Sequence, residues 1–379
     1  MGESYSCASG GVIAAGRHSA FALISAIPVN NWAPVGGNTL SAVNPAIDPL
    51  VNPNYPADAP WIGSNGHPSV VSAWSGAAWD EATKSLYITG GGHADYAGNE
   101  VYKWSASSGL FARLNNPTGA IGNTGTLNDG LDLSSPAYFD GRPRSAHTYN
   151  HLRFIEGVLW NFQGSTFRSG FGIRGAFKFY SDDWHRNGTT TFGNNYGATI
   201  YDEIRSRFVT ISPGTGQPRW YDPVTDSTGI FSHWSNNSDS SGSELQCVYL
   251  KGRDITVSFT ADIQLFKLND TADSTSAIVS GIATPWSDQR IIGAVYDDVN
   301  DRILCWHGGS DIYVLTPPAT NPIVGTWVWS KISPAVGNSV VPTSPTPAGT
   351  FGRFWHSPSL NCCGVINDVA QKMYVFKLG

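Results

Sequence analysis

Apolar and polar positions alternate through most of the chain, in short runs broken by Gly, Asn, Asp and Ser. Three segments repeat one arrangement: AAWDEATKSLYITGGG from Ala77, ATIYDEIRSRFVTISPG from Ala198 and GAVYDDVNDRILCWHGG from Gly293. In each, an apolar run ends on an aromatic residue (Trp79, Tyr201, Tyr296), followed by Asp and a second acidic residue. A polar turn with Lys or Arg comes next, then a second apolar run that stops at glycine. Period-two alternation on both sides of an Asp/Asn/Ser turn predicts a β-hairpin, and helical spacing fits these windows poorly. Looser copies begin at Ser145, Leu245 and Gly352. With Trp79, Tyr149, Tyr201, Tyr249, Tyr296 and Trp355 as equivalent positions, successive copies lie 47 to 70 residues apart. A four-stranded propeller blade with inserted loops has a period of roughly 40 to 50.

After the glycines a third strand is expected at Tyr102 and Tyr313, and an outer strand at Phe111 (GLFARL) and Trp327 (GTWVWSKI). This order of apolar strand, di-glycine, tyrosine and later tryptophan resembles the kelch repeat from about Ser75 to the C-terminus. The resemblance implies an all-β propeller, and the six copies give six four-stranded blades, with room for a seventh in residues 1 to 70. The last copy stops at MYVFKLG without an outer strand, and ISAIPVNNWAPV, with Trp32, has the character of the missing one. A ring closed by an N-terminal strand leaves no exposed sheet edge between its ends. The expected organisation is an arm over residues 1–20 and one propeller domain over 21–379. Gly/Pro/Ser/Asn-rich stretches at Gly36 to Pro68 and Asn115 to Arg144 are long enough to carry recognition. Ser333 to Gly349, with PTSPTP, reads as plain connection.

Composition narrows the partners. Of 379 residues 42 are glycine, aromatics make 12% and charged residues 14%, about half the usual charged share. A net charge of -6 and the lack of any Lys/Arg run give no footprint for a phosphate backbone, so nucleic acid is excluded as a partner. The best apolar run, Ser19 to Val29, is short of a membrane span, and Glu3 spoils the basic start of a cleaved signal. Neither membrane insertion nor a cleaved signal peptide is expected. Five cysteines at uneven spacing form neither a disulfide framework nor a zinc motif. Cys362 and Cys363 would point to opposite faces of a strand, at least one as a buried apolar residue.

Three segments carry candidate chemistry. In GGGHADYAGNEVYKW, from Gly90, the glycines belong to the repeat, but His93, Asp95 and Tyr96 have no counterparts in the matching loops PGTGQPRWY and HGGSDIYV. DGRPRSAHTYNHLRF, from Asp140, carries Arg144. Read as a strand, it places His147, Tyr149, His151 and Arg153 on one face, looking into the funnel where propellers bind ligands. FGRFWHSPSLN, from Phe351, adds Arg353 and His356 from the last blade, next to the first in a closed ring. Glycoside hydrolysis needs a carboxylate pair, and the acidic residues here sit mostly in the repeated turns at Asp80, Asp202 and Asp297. Abstraction of the proton beside a uronate carboxylate needs a His or Tyr base, a Tyr or His acid and a cation for the carboxylate. His93, His147, Tyr149 and Arg353 are groups of those types, and Asp95, Tyr96, Arg144, His151, Arg153 and His356 are candidate substrate contacts.

The phrases GGGHADY, DGRPRSAHTY and GRFW resemble those of bacterial and phage kelch-type proteins related to propeller polysaccharide lyases. Copper oxidases on similar propellers use two histidines and a Cys–Tyr crosslink, and no such His pair is placed here. No cofactor and no metal are implied. Fourteen tryptophans, six of them (Trp61, Trp74, Trp184, Trp220, Trp234, Trp286) in loop-like stretches, offer flat faces for sugars, although about two thirds are expected in blade cores. The reading is a propeller outside the cell or on a virion surface that recognises a polysaccharide or cell-surface glycan. Residues 1–20 are then a docking arm to other particle proteins. A uronate lyase and a purely structural protein-docking propeller are the alternatives.

Overall fold

The structure is a computed structural model and describes residues 20–52, 61, 63–118, 135–168, 174–192, 196–212, 217–231, 244–259, 262–269, 275–286 and 292–379. Six antiparallel sheets follow one another along the chain. The first blade is built from Ala77–Asp80, Ser85–Ile88, Tyr102–Ser105 and Leu110–Arg113. The second uses Leu152–Ile155, Val158–Asn161, Phe177–Tyr180 and Asp183–Arg186, and the third Ala198–Asp202, Arg207–Ile211, Arg219–Asp222 and Ser227–Ile230. The fourth runs from Gln246–Leu250 through Ile255–Phe259 and Ile263–Lys267 to Thr275–Ser276. The fifth comprises Gly293–Asp297, Arg302–Trp306, Ile312–Thr316 and Thr326–Ile332, with an extra strand Ile278–Gly281 lying parallel to its outer edge. In the sixth, Phe354–Ser357, Cys362–Val365 and Met373–Lys377 are completed by Trp32–Val35.

The innermost strands neighbour one another in sequence, and that of the sixth blade returns to the first, which closes the ring. The count is six: among the described residues, 20–76 contribute one strand, and it belongs to the sixth blade. Closure by the N-terminal strand is as expected, with Trp32 opposite Phe376 and Val35 opposite Met373. The strand is shorter than ISAIPVNNWAPV, because Ala20–Ala26 is helical. Residues 1–19, most of the expected arm, lie outside the described residues, as do 119–134 of the long Asn115–Arg144 stretch.

The repeated hairpin has a local cause. Asp80, Asp202 and Asp297 end their strands and turn their carboxylates back on the turn: Asp80 Oδ1 accepts from Ala82 N (3.0 Å), Asp202 Oδ1 from Arg205 N (3.2 Å) and Asp297 Oδ1 from Asn300 N (3.2 Å). This is the Asx-turn use of aspartate. A left-handed residue then closes the turn, at Lys84, Ser206, Asp254 and Asp301. The glycines after the second strand are also structural. A Cβ on Gly92 would sit 2.3 Å from the backbone of Ala146, so only glycine lets the two segments pass. Between blades the apolar faces interlock. Cys362 and Cys363 are both buried and enter different clusters on the two faces of the sixth blade.

One expectation is overturned. The stretch from Arg144 to Phe154 is not a continuous strand: Ala146–His147 pairs with Ser165–Thr166 as a separate ribbon, and the blade strand starts at Leu152. Between them Tyr149 takes φ 40°, its N–H bonding the Trp74 carbonyl at 2.7 Å, while Thr148 Oγ1 accepts from Gly76 N at 2.9 Å. The chain is tied to the start of the neighbouring blade rather than to its own ladder. His147, Tyr149, His151 and Arg153 therefore do not share a face. Nor is Tyr149 the equivalent of Trp79, since the strand-pairing register gives that place to Phe154.

Candidate functional site

The innermost strands all run the same way through the ring, so one face of the disc carries their starts and the other their hairpins. On the face of the starts, which we call the upper face, residues from seven connections meet. His93 and Asp95 come from the loop between the second and third strands of the first blade, and His147 and Tyr149 from the segment before the second blade. The imidazoles of His93 and His147 are 5.4 Å apart, and His147 lies 5.9 Å from the Tyr149 ring. His147 Nε2 is 2.9 Å from Asp95 Oδ2, and Asp95 also takes a hydrogen bond from Asn65 Nδ2. The hydrogen bond from His147 holds the Asp95 carboxyl below its usual range, so Asp95 is ionised.

Five further side chains complete the group, and of these sequence reasoning singled out only Trp74, as one of six tryptophans in loop-like stretches. Trp74 packs its ring 5.0 Å from His147 and donates Nε1 to Glu244 Oε1 at 3.0 Å. Tyr196 stands edge-on to Tyr149 at 5.7 Å, and Phe351 does so on another side at 5.8 Å. Arg174 donates Nε to the Gly164 carbonyl at 3.1 Å, and its Nη2 is buried without a hydrogen-bond partner among the described residues. Burial pulls the Arg174 pKa down to about 10, with Tyr149 and Tyr196 as the nearby groups that oppose this. At neutral pH it remains a cation. His147 and Tyr149 form the buried floor, while His93 is exposed and Asp95, Trp74, Arg174, Tyr196 and Glu244 are half-buried around them.

Burial is the main influence on both floor residues: it lowers the His147 pKa, against the pull of Asp95, and pushes that of Tyr149 well up. The Gly92 backbone adds a second hydrogen-bonding contact to His147 that favours its protonated form. With Asp95 and Gly92 both engaging its ring, His147 is held as a positioning group rather than presented as a base. Neutral Tyr149, with Ser165 as its hydrogen-bond partner, is a donor at the floor.

The remaining sequence-predicted residues are elsewhere. Arg353 is buried and spends its guanidinium on main-chain and amide oxygens: Nε on Ser75 O (2.8 Å), Nη1 on Ile366 O (3.1 Å) and Asn367 Oδ1 (2.5 Å), Nη2 on Gly349 O. It welds the sixth blade to the first, with all three of its nitrogens engaged and 1% of the residue exposed. Tyr96 is turned into the first blade, where its hydroxyl donates to Glu100 Oε1 at 2.7 Å. His151 is buried with Nδ1 2.9 Å from Thr199 Oγ1, and Arg144 is buried as well. Arg153 and His356 line the central channel below, a separate cavity. Ten of the fourteen tryptophans are buried, Trp61, Trp184 and Trp286 among them, and Trp234 lies outside the described residues. That leaves Trp74 as the tryptophan of the upper site. Among the described residues no three His, Cys, Asp or Glu side chains are grouped to hold a metal ion.

No family model matches the chain, and no curated protein matches it. Among solved structures it is similar to a protein of unknown function from Bacteroides thetaiotaomicron, with a TM-score of 0.51 at 7% identity over 91% of this chain and 75% of that one. A gluconolactonase from Xanthomonas campestris aligns with a TM-score of 0.46 at 12% identity over 93% of this chain and 99% of that one. At such identities the first likeness speaks to the fold alone, and the second is too distant to carry an argument.

Proposed function

We propose that the upper site binds a glycan bearing an acidic sugar. The observation that supports this most is the juxtaposition of Arg174, whose Nη2 lacks a partner, with Tyr149, Tyr196 and the half-buried face of Trp74. A buried guanidinium N–H without an acceptor is costly and is satisfied by an incoming carboxylate. Aromatic faces take the apolar side of a sugar ring, and Glu244, Asp95 and Asn65 supply hydrogen-bonding groups for hydroxyls at the rim. Action outside the cell or on a virion surface, with residues 1–20 as the docking arm, is part of the same proposal and rests on composition.

Binding is the reading over β-elimination because His147 is engaged by Asp95 and Gly92, and Arg353 is consumed by carbonyls. Isothermal titration against alginate, polygalacturonate, hyaluronate and a neutral glucan tests it. At least one acidic polymer is expected to bind and the glucan not to. Arg174→Gln and Trp74→Ala are each expected to weaken binding about tenfold or more, about 1.4 kcal/mol. No binding to any acidic polymer, or unchanged affinity in both variants, overturns the reading. Growth of ultraviolet absorbance from a new carbon–carbon double bond would instead assign a lyase, with Tyr149 as the residue to substitute.

A further inference from the structure

The central channel opens toward the hairpin face as a cavity of about 430 Å³, within the size range of small-molecule sites. Aromatic residues Trp79, Tyr201, Tyr249 and Tyr296 line its walls, with Asn150, Arg153, Gln246 and His356 among its polar groups. None of the upper-site residues lines it. Between the two, Asn150 reaches from the start of the second blade to the fourth, donating Nδ2 to Cys247 O at 3.0 Å.

Arg153 stands at this crossing. Its Nη1 is used by the protein, on Asn150 Oδ1 at 2.9 Å and on Leu152 O at 2.6 Å. Nε and Nη2, the edge that grips a carboxylate with two parallel hydrogen bonds, make none among the described residues. A second residue of the same cavity also has an unmatched polar atom. Gln246 is 1% exposed, its Nε2 is fixed on Ala294 O at 2.9 Å, and its Oε1 is buried without a partner among the described residues. A buried orphan acceptor calls for a donor. At the mouth stand Glu81, Glu203 and Asp298; Lys84 pairs with Glu81 at 3.2 Å and Lys251 with Glu203, which leaves Asp298 as the surplus carboxylate. That surplus of negative charge opposes a dianion or a polyanion and tolerates a single charge.

We infer that the channel is a second binding site, for a small monocarboxylate with an apolar body and a hydroxyl or amino donor beside its carboxyl group. The carboxylate lies on the Nε–Nη2 edge of Arg153, the donor on Gln246 Oε1, and the apolar body against the aromatic walls. This site does not depend on the glycan reading, since it shares no residue with the upper site.

Isothermal titration of the full chain with phenyllactate, phenylpropionate, phenyllactate methyl ester and phenylmalonate tests it. Phenyllactate is expected to bind one to one. The ester and the dianion are expected not to bind, and phenylpropionate, which lacks the hydroxyl, to bind about tenfold more weakly. Arg153→Gln is expected to lower phenyllactate affinity at least tenfold with the melting temperature monitored alongside, and Arg153→Lys to restore part of it. Should Arg153→Gln fail to fold, Gln246→Leu decides: it is expected to erase the preference for phenyllactate over phenylpropionate. Failure of the wild-type protein to bind phenyllactate, equal binding of the ester, or a preference intact in Gln246→Leu overturns the inference. A bound acidic polysaccharide is not expected to displace phenyllactate, and displacement would merge the two sites.

Discussion

His67 shows how much one side chain owes to its surroundings. It is buried between the rings of Tyr96 and Tyr102, at 6.1 and 5.4 Å, and burial lowers its pKa from 6.5 to about 4. Burial also lowers His147 and His356. Unfolded histidines take up protons near pH 6.5 while these resist, so the unfolded state binds more protons below that pH. Stability is therefore present above 6.5 and is lost as pH falls toward 4. At about 1.4 kcal/mol per pH unit, His67 alone accounts for about 3 kcal/mol across that window. Glu100, whose pKa is raised by burial, acts in the opposite sense. The expected outcome is a melting temperature that falls on acidification from pH 7 to about 4.5, and falls less in His67→Phe. An identical pH dependence in the two proteins would refute this account. At this scale the sequence marks His93 and Asp95 because their loop departs from the repeat, and His147 and Tyr149 by their residue types on an expected strand face. Trp74 stands out only as one of six tryptophans in loop-like stretches, and Arg174, Tyr196, Phe351 and Glu244 carry no mark, since each is one polar or aromatic residue in a connection and only its neighbours make it part of a site.

Among the elements, the hairpins are the most locally determined. The buried carboxylate of Asp297 accepts from Asn300 Nδ2 and Arg302 Nε, both at 2.8 Å, besides capping the turn. Asp297→Ala removes these bonds to a charged group and is expected to cost about 2–3 kcal/mol in a denaturant titration. A loss below half that would mean water replaces the carboxylate. The turns also join neighbouring blades: Arg205 grips Asp254 with both Nη atoms (3.0 and 2.7 Å), and Arg253 grips Asp301. Where alternation misled was Ala146 to Phe154. Period-two patterning continues through the segment, but Tyr149 adopts a left-handed conformation because its N–H is claimed by Trp74 of another blade. A local pattern does not register a competitor more than seventy positions away.

For the whole molecule, ring closure is the decisive contact. Trp32 is 1% exposed, donates Nε1 to Ser310 O of the fifth blade at 2.8 Å, and packs against Trp306 and Phe376 at 6.4 and 5.1 Å. Trp32→Ala is expected to cost about 3–5 kcal/mol and to lower the midpoint of a single cooperative transition. Two separated transitions would show that the sixth blade opens independently. Hairpins, their sixfold recurrence and the strand missing from the last copy were all written in the sequence, because alternation and turn chemistry act between residues a few positions apart. Which polar groups meet was decided by the tertiary structure alone. Trp74 and Glu244 are 170 positions apart, and Asn150 and Cys247 are 97. Arg353, Arg174 and Arg153 look alike along the chain. What separates a weld from a binding edge is how many carbonyls the closed ring brings to each guanidinium.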